Sequence, residues 1–359
     1  MILESIKLFK YSLPLNKPLQ LKTAEIEKRD GYIIELISVS GIKSYSEIAP
    51  LLNFSKETMF DIYKEVLFFK KEFLQNKIPP DILTKLKYYT PSVRFGIESA
   101  FLQLTAQSKE LTLIDLLNPN ANHTISINAL LTGSSDEIKQ KAKELSQNGY
   151  TAFKIKVGRL PLSEEIETVH EVRKIIGEKS LIRLDANRAF DSETAIEFYE
   201  KIQEADIDYI EEPFHTLAIL KSYINNSSCE IPLALDESLV EIEVEDLNNM
   251  YALKAIVLKP TLLGYTDTMM LAKKAFALGI QPVISSSFET SIGSYILASM
   301  GAIIDTTIPI GLDTLSWFKK DIVTDPIIFP NGKLNLDLYM NLQNQIEFTK
   351  LEEVPLGNE

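Results

Sequence analysis

Residues 152–158, Ala-Phe-Lys-Ile-Lys-Val-Gly, show the pattern that indicates the fold, because segments of the same kind recur at similar intervals along the chain. Short apolar runs that end in polar residues return at 181–187, Leu-Ile-Arg-Leu-Asp-Ala-Asn, and at 255–260, Ala-Ile-Val-Leu-Lys-Pro. Stretches with the apolar spacing of a helix, such as residues 163–176, separate these runs. Repeated strand and helix units of this length form parallel sheets, and eight of them can close into a barrel.

The same alternation continues through the second part of the chain. The expected strands are near Ile125–Leu131, Ala152–Val157, Leu181–Asp185, Tyr209–Glu212, Pro232–Asp236, Ala255–Lys259, Pro282–Ser286 and Ile308–Gly311. We therefore predict an α/β fold, a modified TIM barrel of the (β/α)7β type, over residues 121–317.

The first 120 residues show a different order of elements. Strand-like runs within residues 5–39 come before stretches of helical spacing within 55–106. This order predicts an N-terminal α+β module over residues 1–120. Residues 318–359 lack the alternation, and we expect a hairpin turn at 330–332 to return this segment to the first module and complete it.

The composition excludes several classes of function. Apolar residues make up 45% and charged residues 24%, which is typical of a folded domain with a large core. The 37 Lys and Arg residues against 50 Asp and Glu residues leave a net charge of −13, which opposes nucleic-acid binding. Cys229 is the only cysteine, so no internal disulfide forms and a cytoplasmic location is expected. No apolar run approaches the ~18 residues of a membrane span, and we expect no membrane partner.

Polar residues stand at the C-terminal ends of the predicted strands, about one strand–helix unit apart. They are Lys154 and Lys156, Asp185 and Asn187, Glu211 and Glu212, Asp236 and Glu237, and Lys259. In a closed barrel these strand ends are neighbours, so the side chains should converge on one mouth. A single Glu-Glu-Pro or Asp-Glu-Ser tripeptide is an ordinary turn, and the ordered series is what indicates a site.

Strand geometry favours a metal at this mouth. Lys154 and Lys156 are two residues apart and point to the same face, toward the barrel interior. Buried charges of both signs require mutual pairing or a metal ion. The three histidines, His123, His170 and His215, are far apart, so a metal site must consist mainly of carboxylates. Carboxylates from three adjacent strands suit Mg²⁺.

The ordered series K-x-K, D-x-N, E-E-P, D-E-S and K-P resembles the enolase superfamily, specifically its muconate-lactonizing subgroup. The resemblance covers about Asn128–Asp313 and implies that the N-terminal module is a capping domain. It implies Mg²⁺, with Mn²⁺ as a substitute, bound by Asp185, Glu211 and Asp236. It also implies Lys156 as the acid and base on one face of the substrate and Lys259 as the group on the other face.

Two later segments narrow the implied reaction. Residues 284–293, Ile-Ser-Ser-Ser-Phe-Glu-Thr-Ser-Ile-Gly, and 311–314, Gly-Leu-Asp-Thr, resemble runs in the o-succinylbenzoate synthases of this subgroup. The implied reaction is the Mg²⁺-dependent dehydration of 2-succinyl-6-hydroxy-2,4-cyclohexadiene-1-carboxylate, a small carboxylate, in menaquinone biosynthesis. The helix start after 285–287 would hold a substrate anion. The substrate-binding candidates are Lys154, Asn187, Ser285, Ser286, Ser287 and Asp313.

Alternatives stay open from the sequence. A dipeptide epimerase or N-acylamino acid racemase of the same subgroup would use the same two lysines, although Gly311 stands where the epimerases have a second acid before Asp313. A barrel without catalysis, serving as a scaffold, is a third class. The oligomeric state is not readable.

Supporting contacts around the site are also expected. Glu212 and Glu237 would either pair with lysines or be exposed acids, and Asn187 would support the metal or Lys154. His215 is interpreted as a surface residue. Loop-like residues 15–23 and 50–55 would close over the barrel mouth.

Overall fold

An antiparallel sheet with helices on one face begins the chain in the computed structural model, which describes residues 1–20, 25–79 and 81–357. Its first strands and helices, in chain order, are β1 (Leu3–Gln20), β2 (Glu25–Ser38), β3 (Lys43–Ile48), α1 (Met59–Phe73), α2 (Ile82–Leu86), α3 (Pro91–Gln107) and α4 (Leu113–Leu117). Thr58 and Asp61 form a capping box at the start of α1, and Pro91 occupies the first turn of α3. Helices were predicted at both places, and both are confirmed.

The barrel strands follow, alternating with helices. They are β4 (Thr124–Ser126), β5 (Ala129–Leu131), α5 (Ser135–Gln147), β6 (Ala152–Lys156), α6 (Leu162–Ile176), β7 (Leu181–Asp185), α7 (Ser192–Ile202), β8 (Ile207–Glu211), α8 (Leu217–Ile224), β9 (Leu233–Leu235), β10 (Leu253–Leu258), α9 (Pro260–Leu263), α10 (Tyr265–Ala277), β11 (Gln281–Ile284) and α11 (Ser291–Ile304). Strands β5 to β11 form one parallel sheet in sequential order. The predicted barrel fold with an N-terminal α+β part is confirmed.

The eighth predicted strand is reduced to a narrow connection. Residues 308–311 form single bridges, Ile310 with Ile127 and Gly311 with Ser285, rather than a ladder. The Ile310 N–H donates to the Ser126 carbonyl at 2.9 Å, and the Gly311 N–H donates to the Ile284 carbonyl at 2.8 Å, which links the two ends of the sheet. Pro309 has no N–H to extend the pairing, which explains why no regular strand forms.

The prediction of one strand over residues 125–131 is wrong, because β4 leaves the barrel. It pairs antiparallel with β12 (Lys333–Asn335), which follows the turn at 330–332. The turn therefore brings the chain to β4. The prediction that it returns the chain to the first sheet is wrong. The return to that sheet comes later, where β13 (Glu352–Val354) pairs with β1. The division at residue 120 stays a prediction.

The first sheet separates two hydrophobic clusters. Ile6 and Leu8 of β1 pack in the cluster with α1 and α3, whereas Phe9, Tyr11 and Leu13 belong to the barrel cluster. The sheet is therefore sandwiched between its own helices and the barrel, and one strand supplies both cores. No helix in the described parts of the chain combines the length and apolarity that crossing a bilayer requires.

Candidate active site

Three buried carboxylates meet at the C-terminal edge of the barrel sheet. Asp185 is the last residue of β7, Glu211 is the last residue of β8, and Asp236 lies one residue beyond β9. One carboxylate oxygen of each residue lies within 4.8 Å of those of the other two. The adjacency of the parallel strands produces this convergence, and we call these residues the carboxylate triad.

The triad fits a divalent metal ion. Its residues are at most 5% exposed, and Glu211 Oε2 is a buried atom that has no hydrogen-bond partner among the described residues. Burial and the neighbouring Asp185 carboxylate raise the pKa of Glu211 well above its usual range. Three close oxygen donors and an orphaned buried oxygen are what a hard cation such as Mg²⁺ coordinates.

Lysines contact the triad from the neighbouring strands on either side of it. On β6, Lys154 Nζ lies 2.8 Å from both Asp185 Oδ2 and Glu211 Oε1, and Lys156 Nζ lies 2.5 Å from Asp185 Oδ2. Lys259 follows β10, and its Nζ lies 2.5 Å from Asp236 Oδ2. Strands β7 to β9 lie between β6 and β10, so a ligand on the triad would have a lysine on each flank.

The two flanking lysines differ in their proton affinity. Burial lowers the pKa of Lys156 below its usual value, and the attraction of Asp185 does not compensate. Burial alone would also lower the pKa of Lys259, but the ion pair with Asp236 raises it. Opposite pKa shifts suit opposite roles. A lysine with a lowered pKa can be neutral and accept a proton as a base, whereas a lysine with a raised pKa stays a cation.

Asn187 contacts Lys156, although we expected it to support the metal or Lys154. Its Oδ1 accepts a hydrogen bond from Lys156 Nζ at 2.6 Å, and its N–H donates to Asp185 Oδ1 at 3.2 Å. Asn187 has a φ of 43°, in the left-handed region that asparagine tolerates better than most residues. This local conformation places the amide beside the amine and holds Lys156 in one orientation.

Glu212 and Glu237 pair with an arginine, and the expectation that they pair with lysines is wrong. Glu212 Oε2 lies 3.3 Å from Arg188 Nε, and Glu237 Oε1 lies 3.8 Å from the same atom. Glu212 Oε1 also accepts the N–H groups of Asp236 and Ser238, both at 2.9 Å. Glu212 therefore holds the backbone that carries Asp236. His215 is exposed, as expected.

The serine run lies at the cavity, but the following helix start does not face it. Ser286 Oγ donates to Glu289 Oε2 at 2.7 Å, and the Ser287 N–H donates to the same oxygen at 2.6 Å. The first N–H groups of α11 donate to Glu47 and Asp321, two carboxyl groups of the protein itself. These amides are not free for a substrate anion, contrary to the expectation from the sequence.

A cavity of about 700 Å³ reaches the triad at Asp185, and a second of about 910 Å³ lies away from it against α3 and residues 339–348. The predicted site residues in the wall of the first cavity are Lys154, Lys156, Asp185, Asn187, Lys259, Ser285, Ser286, Ser287 and Asp313. Burial raises the pKa of Asp313, whose Oδ2 accepts the Leu130 N–H at 2.9 Å.

The N-terminal part of the chain closes one side of this cavity. Pro18, Leu51 and Phe54 line it, and the Phe54 ring centroid lies 5.5 Å from Lys259 Nζ. The loop expected at 50–55 is present, but residues 15–20 belong to β1, and residues 21–23 lie outside the described residues.

The sequence reasoning missed Arg159, Arg188 and Trp317, which also line the cavity. A signal existed for the two arginines, since each follows a predicted strand end within three residues of a chosen residue. Trp317 comes from a segment without periodicity, where no pattern pointed to the cavity.

A β/α barrel whose mouth holds three carboxylates between two lysines is typical of one class of enzyme. A family model described as enolase C-terminal domain-like matches residues 137–338, more than half of the chain, and the MenC N-terminal domain model matches residues 3–104. The chain belongs to the enolase superfamily, and it is an enzyme of the metal-dependent lyase class.

Individual relatives support this membership. The chain is 32% identical over 338 residues to the o-succinylbenzoate synthase of Aliivibrio fischeri, which covers 92% of this chain and 96% of that protein. It is 30% identical over 350 residues to the o-succinylbenzoate synthase of Aliivibrio salmonicida, and the match covers 95% of this chain and 98% of that protein. The L-Ala-D/L-Glu epimerase of Bacillus subtilis has a similar structure, with a TM-score of 0.82 and 22% sequence identity. The match covers 93% of this chain and 96% of the epimerase chain.

Proposed function

We propose that this protein is an o-succinylbenzoate synthase, which dehydrates 2-succinyl-6-hydroxy-2,4-cyclohexadiene-1-carboxylate to 2-succinylbenzoate in menaquinone biosynthesis. The observation that carries the proposal is the carboxylate triad flanked by Lys156 and Lys259, in a chain about 30% identical to such enzymes over more than nine tenths of its length. The proposed location, the cytoplasm, follows from that pathway and from the single cysteine.

The triad is proposed to bind Mg²⁺, with Mn²⁺ as a substitute. Such an ion, when bound, stabilises the negative charge that develops on the substrate carboxylate as the adjacent carbon loses its proton. Asp185, Glu211 and Asp236 would hold the ion, and Lys154 orients two of these carboxylates through its ammonium group. This arrangement fixes the substrate carboxylate at the barrel mouth.

Lys156 performs the proton transfers in this proposal. Its neutral amine takes the proton from the carbon that bears the carboxylate, and the same proton then goes to the hydroxyl group, which leaves as water. The proton balance closes, and the amine is restored for the next turnover. Asn187 keeps the amine oriented through its hydrogen bond.

Lys259 stays protonated and stabilises the substrate from the opposite flank. The ion pair with Asp236 keeps it charged. A cation that faces a ring about to become aromatic contributes electrostatic attraction. The other proposed substrate contacts, which share the cavity wall, are Lys154, Asn187, Ser285, Ser286, Ser287 and Asp313.

The test is a direct assay of the purified protein. The protein is stripped with EDTA, supplied with the cyclohexadiene, and followed by absorbance while Mg²⁺ is titrated. We expect 2-succinylbenzoate to form only with the metal, and Mn²⁺ to replace Mg²⁺. A metal-loaded, folded protein that leaves the diene unchanged would refute the proposal.

A dipeptide epimerase or N-acylamino acid racemase is the second candidate, because a lysine on each flank also suits proton removal from one face and delivery to the other. Incubation in deuterium oxide separates the two. A two-base racemase would exchange the α-proton of an L-dipeptide or an N-succinyl amino acid, whereas a dedicated dehydratase would leave these compounds almost unlabelled.

A further inference from the structure

The turn after β6 holds an arginine at the rim of the active-site cavity. Gly158 has a φ of 78°, and a Cβ there would lie 2.2 Å from the Ala189 Cβ, so only glycine fits. The N–H groups of Arg159 and Leu160 donate to the buried Glu165 Oε1 at 2.7 and 3.0 Å. The backbone of Arg159 is therefore fixed, while its side chain lines the cavity.

Arg159 differs from the other cations of the cavity wall in having no carboxylate partner among the residues that the structure describes. Lys154, Lys156, Lys259 and Arg188 each lie within 4 Å of a carboxylate. The Arg159 guanidinium, within the described parts of the chain, has no carboxylate at that distance. Its Nη1 donates to the Thr132 hydroxyl at 3.2 Å, and the described residues accept no other hydrogen bond from the guanidinium.

The charge at the cavity rim is unevenly distributed. Arg159 and Thr132 follow β6 and β5, at one end of the sheet order. Glu237 and Glu241 follow β9, also line the cavity, and share Arg188 as their cation. Asp313 lines the wall on the β5 side, where its Oδ2 accepts the Leu130 N–H. Negative charge on a ligand is therefore disfavoured at the β9 side of the rim and favoured beside Arg159, the cation that follows β6.

We propose that Arg159 binds a second carboxylate of the substrate, remote from the reacting carbon, and so selects dicarboxylates. This inference rests on the proposed function, in which that group is the succinyl carboxylate. A guanidinium presents paired N–H groups that match the two oxygens of a carboxylate, and it retains its charge at any physiological pH. Thr132 accepts one N–H and restricts the orientation of the side chain.

The test compares two ligands by calorimetry in Mg²⁺, 2-succinylbenzoate and 2-butanoylbenzoate, in which a methyl group replaces the remote carboxylate. The proteins are the parent, Arg159→Gln, Arg159→Lys, and the control Lys174→Gln, which removes one exposed positive charge from α6. We expect Arg159→Gln to weaken the binding of the diacid about tenfold or more and the binding of the monoacid less than twofold. Arg159→Lys should recover part of the loss, and Lys174→Gln should change neither affinity.

Two results would overturn the inference. One is an unchanged diacid affinity in Arg159→Gln, and the other is an equal loss for both ligands, which would mark a structural role. The diene assay on the parent separates this failure from that of the proposed function. If the parent forms product and Arg159→Gln still binds the diacid normally, only the role of Arg159 is wrong. A parent that forms no product overturns the proposed function and the inference together.

Discussion

Lys154 and Lys156 carry the same amine on the same face of β6, yet their neighbours shift the two pKa values in opposite directions. Burial alone would lower the pKa of Lys154, but Asp185 and Glu211 raise it well above its usual value. Lys156 contacts one carboxylate and an amide, and burial lowers its pKa. A shift of two positions along one strand therefore separates a lysine whose pKa is raised from one whose pKa is lowered.

At this scale we expect Lys156→Ala to lower kcat by about 10³-fold, because the variant lacks the group that moves the proton. Metal binding should persist, since the triad is untouched. Steady-state kinetics and a Mg²⁺ thermal-shift titration measure the two effects. Lys139→Ala, on the surface of α5, is the control and should behave like the parent. Activity of Lys156→Ala within tenfold of the parent would contradict the assigned role.

At the scale of elements, helix α11 is capped by distant parts of the chain. Its N-cap residue Thr290 makes no side-chain cap. Glu47 at the end of β3 accepts the N–H groups of Thr290 and Gly293, both at 3.0 Å, and Asp321 accepts that of Ser291. The cavity-lining serine loop directly precedes this helix. The contact of β3 with the start of α11 therefore also positions part of the active-site cavity.

For this element we expect Glu47→Ala to lower the free energy of unfolding by about 2 kcal/mol, because two buried N–H groups lose their acceptor. The KM for the diene should rise as the serine loop loosens. Urea denaturation and kinetics are the measurements. Glu4→Ala removes an exposed glutamate from β1 and should leave both values unchanged. Equal stability of Glu47→Ala and the parent would show that the cap is replaced by water.

Across the barrel, the carboxylate triad spans three neighbouring strands of one sheet. Asp185 and Glu211 end β7 and β8, Asp236 directly follows β9, and an ion bound to all three would tie these strands together. A ligand that binds only the folded state stabilises it by mass action. Metal binding should therefore raise the stability of the barrel as a whole.

We accordingly expect Mg²⁺ to raise the melting temperature and EDTA to reverse the rise. The stabilisation is about 2.7 kcal/mol when free Mg²⁺ exceeds its dissociation constant a hundredfold. Differential scanning calorimetry over a Mg²⁺ titration measures it. Asp185→Asn should shift the titration to higher Mg²⁺, whereas Asp136→Asn, 95% exposed on α5, should not. Complete indifference of the protein to Mg²⁺ and EDTA would favour a scaffold without catalysis.

Much of the architecture was predictable because strands and helices have local periods. The barrel strands that carry Lys156, Asp185 and Glu211 lie where the apolar runs indicated. The strand expected at 308–311 does not form a regular ladder, because Pro309 has no backbone N–H to donate to a neighbouring strand. The strand expected at 125–131 is divided, because an antiparallel pairing with β12, about 200 residues away, competes for its first half.

The set of side chains at the barrel mouth could be read from the residues alone, since the alternation along a strand and the order of strands in a parallel sheet follow from short-range rules. The partners of those side chains became known only from the packed fold. Asn187 contacts Lys156, Glu212 contacts Arg188, and Glu47 caps α11. The physical reason is that a hydrogen bond or an ion pair depends on distances of a few ångströms between atoms far apart in the chain. No local pattern of residues specifies those distances before the sheets and helices have packed together.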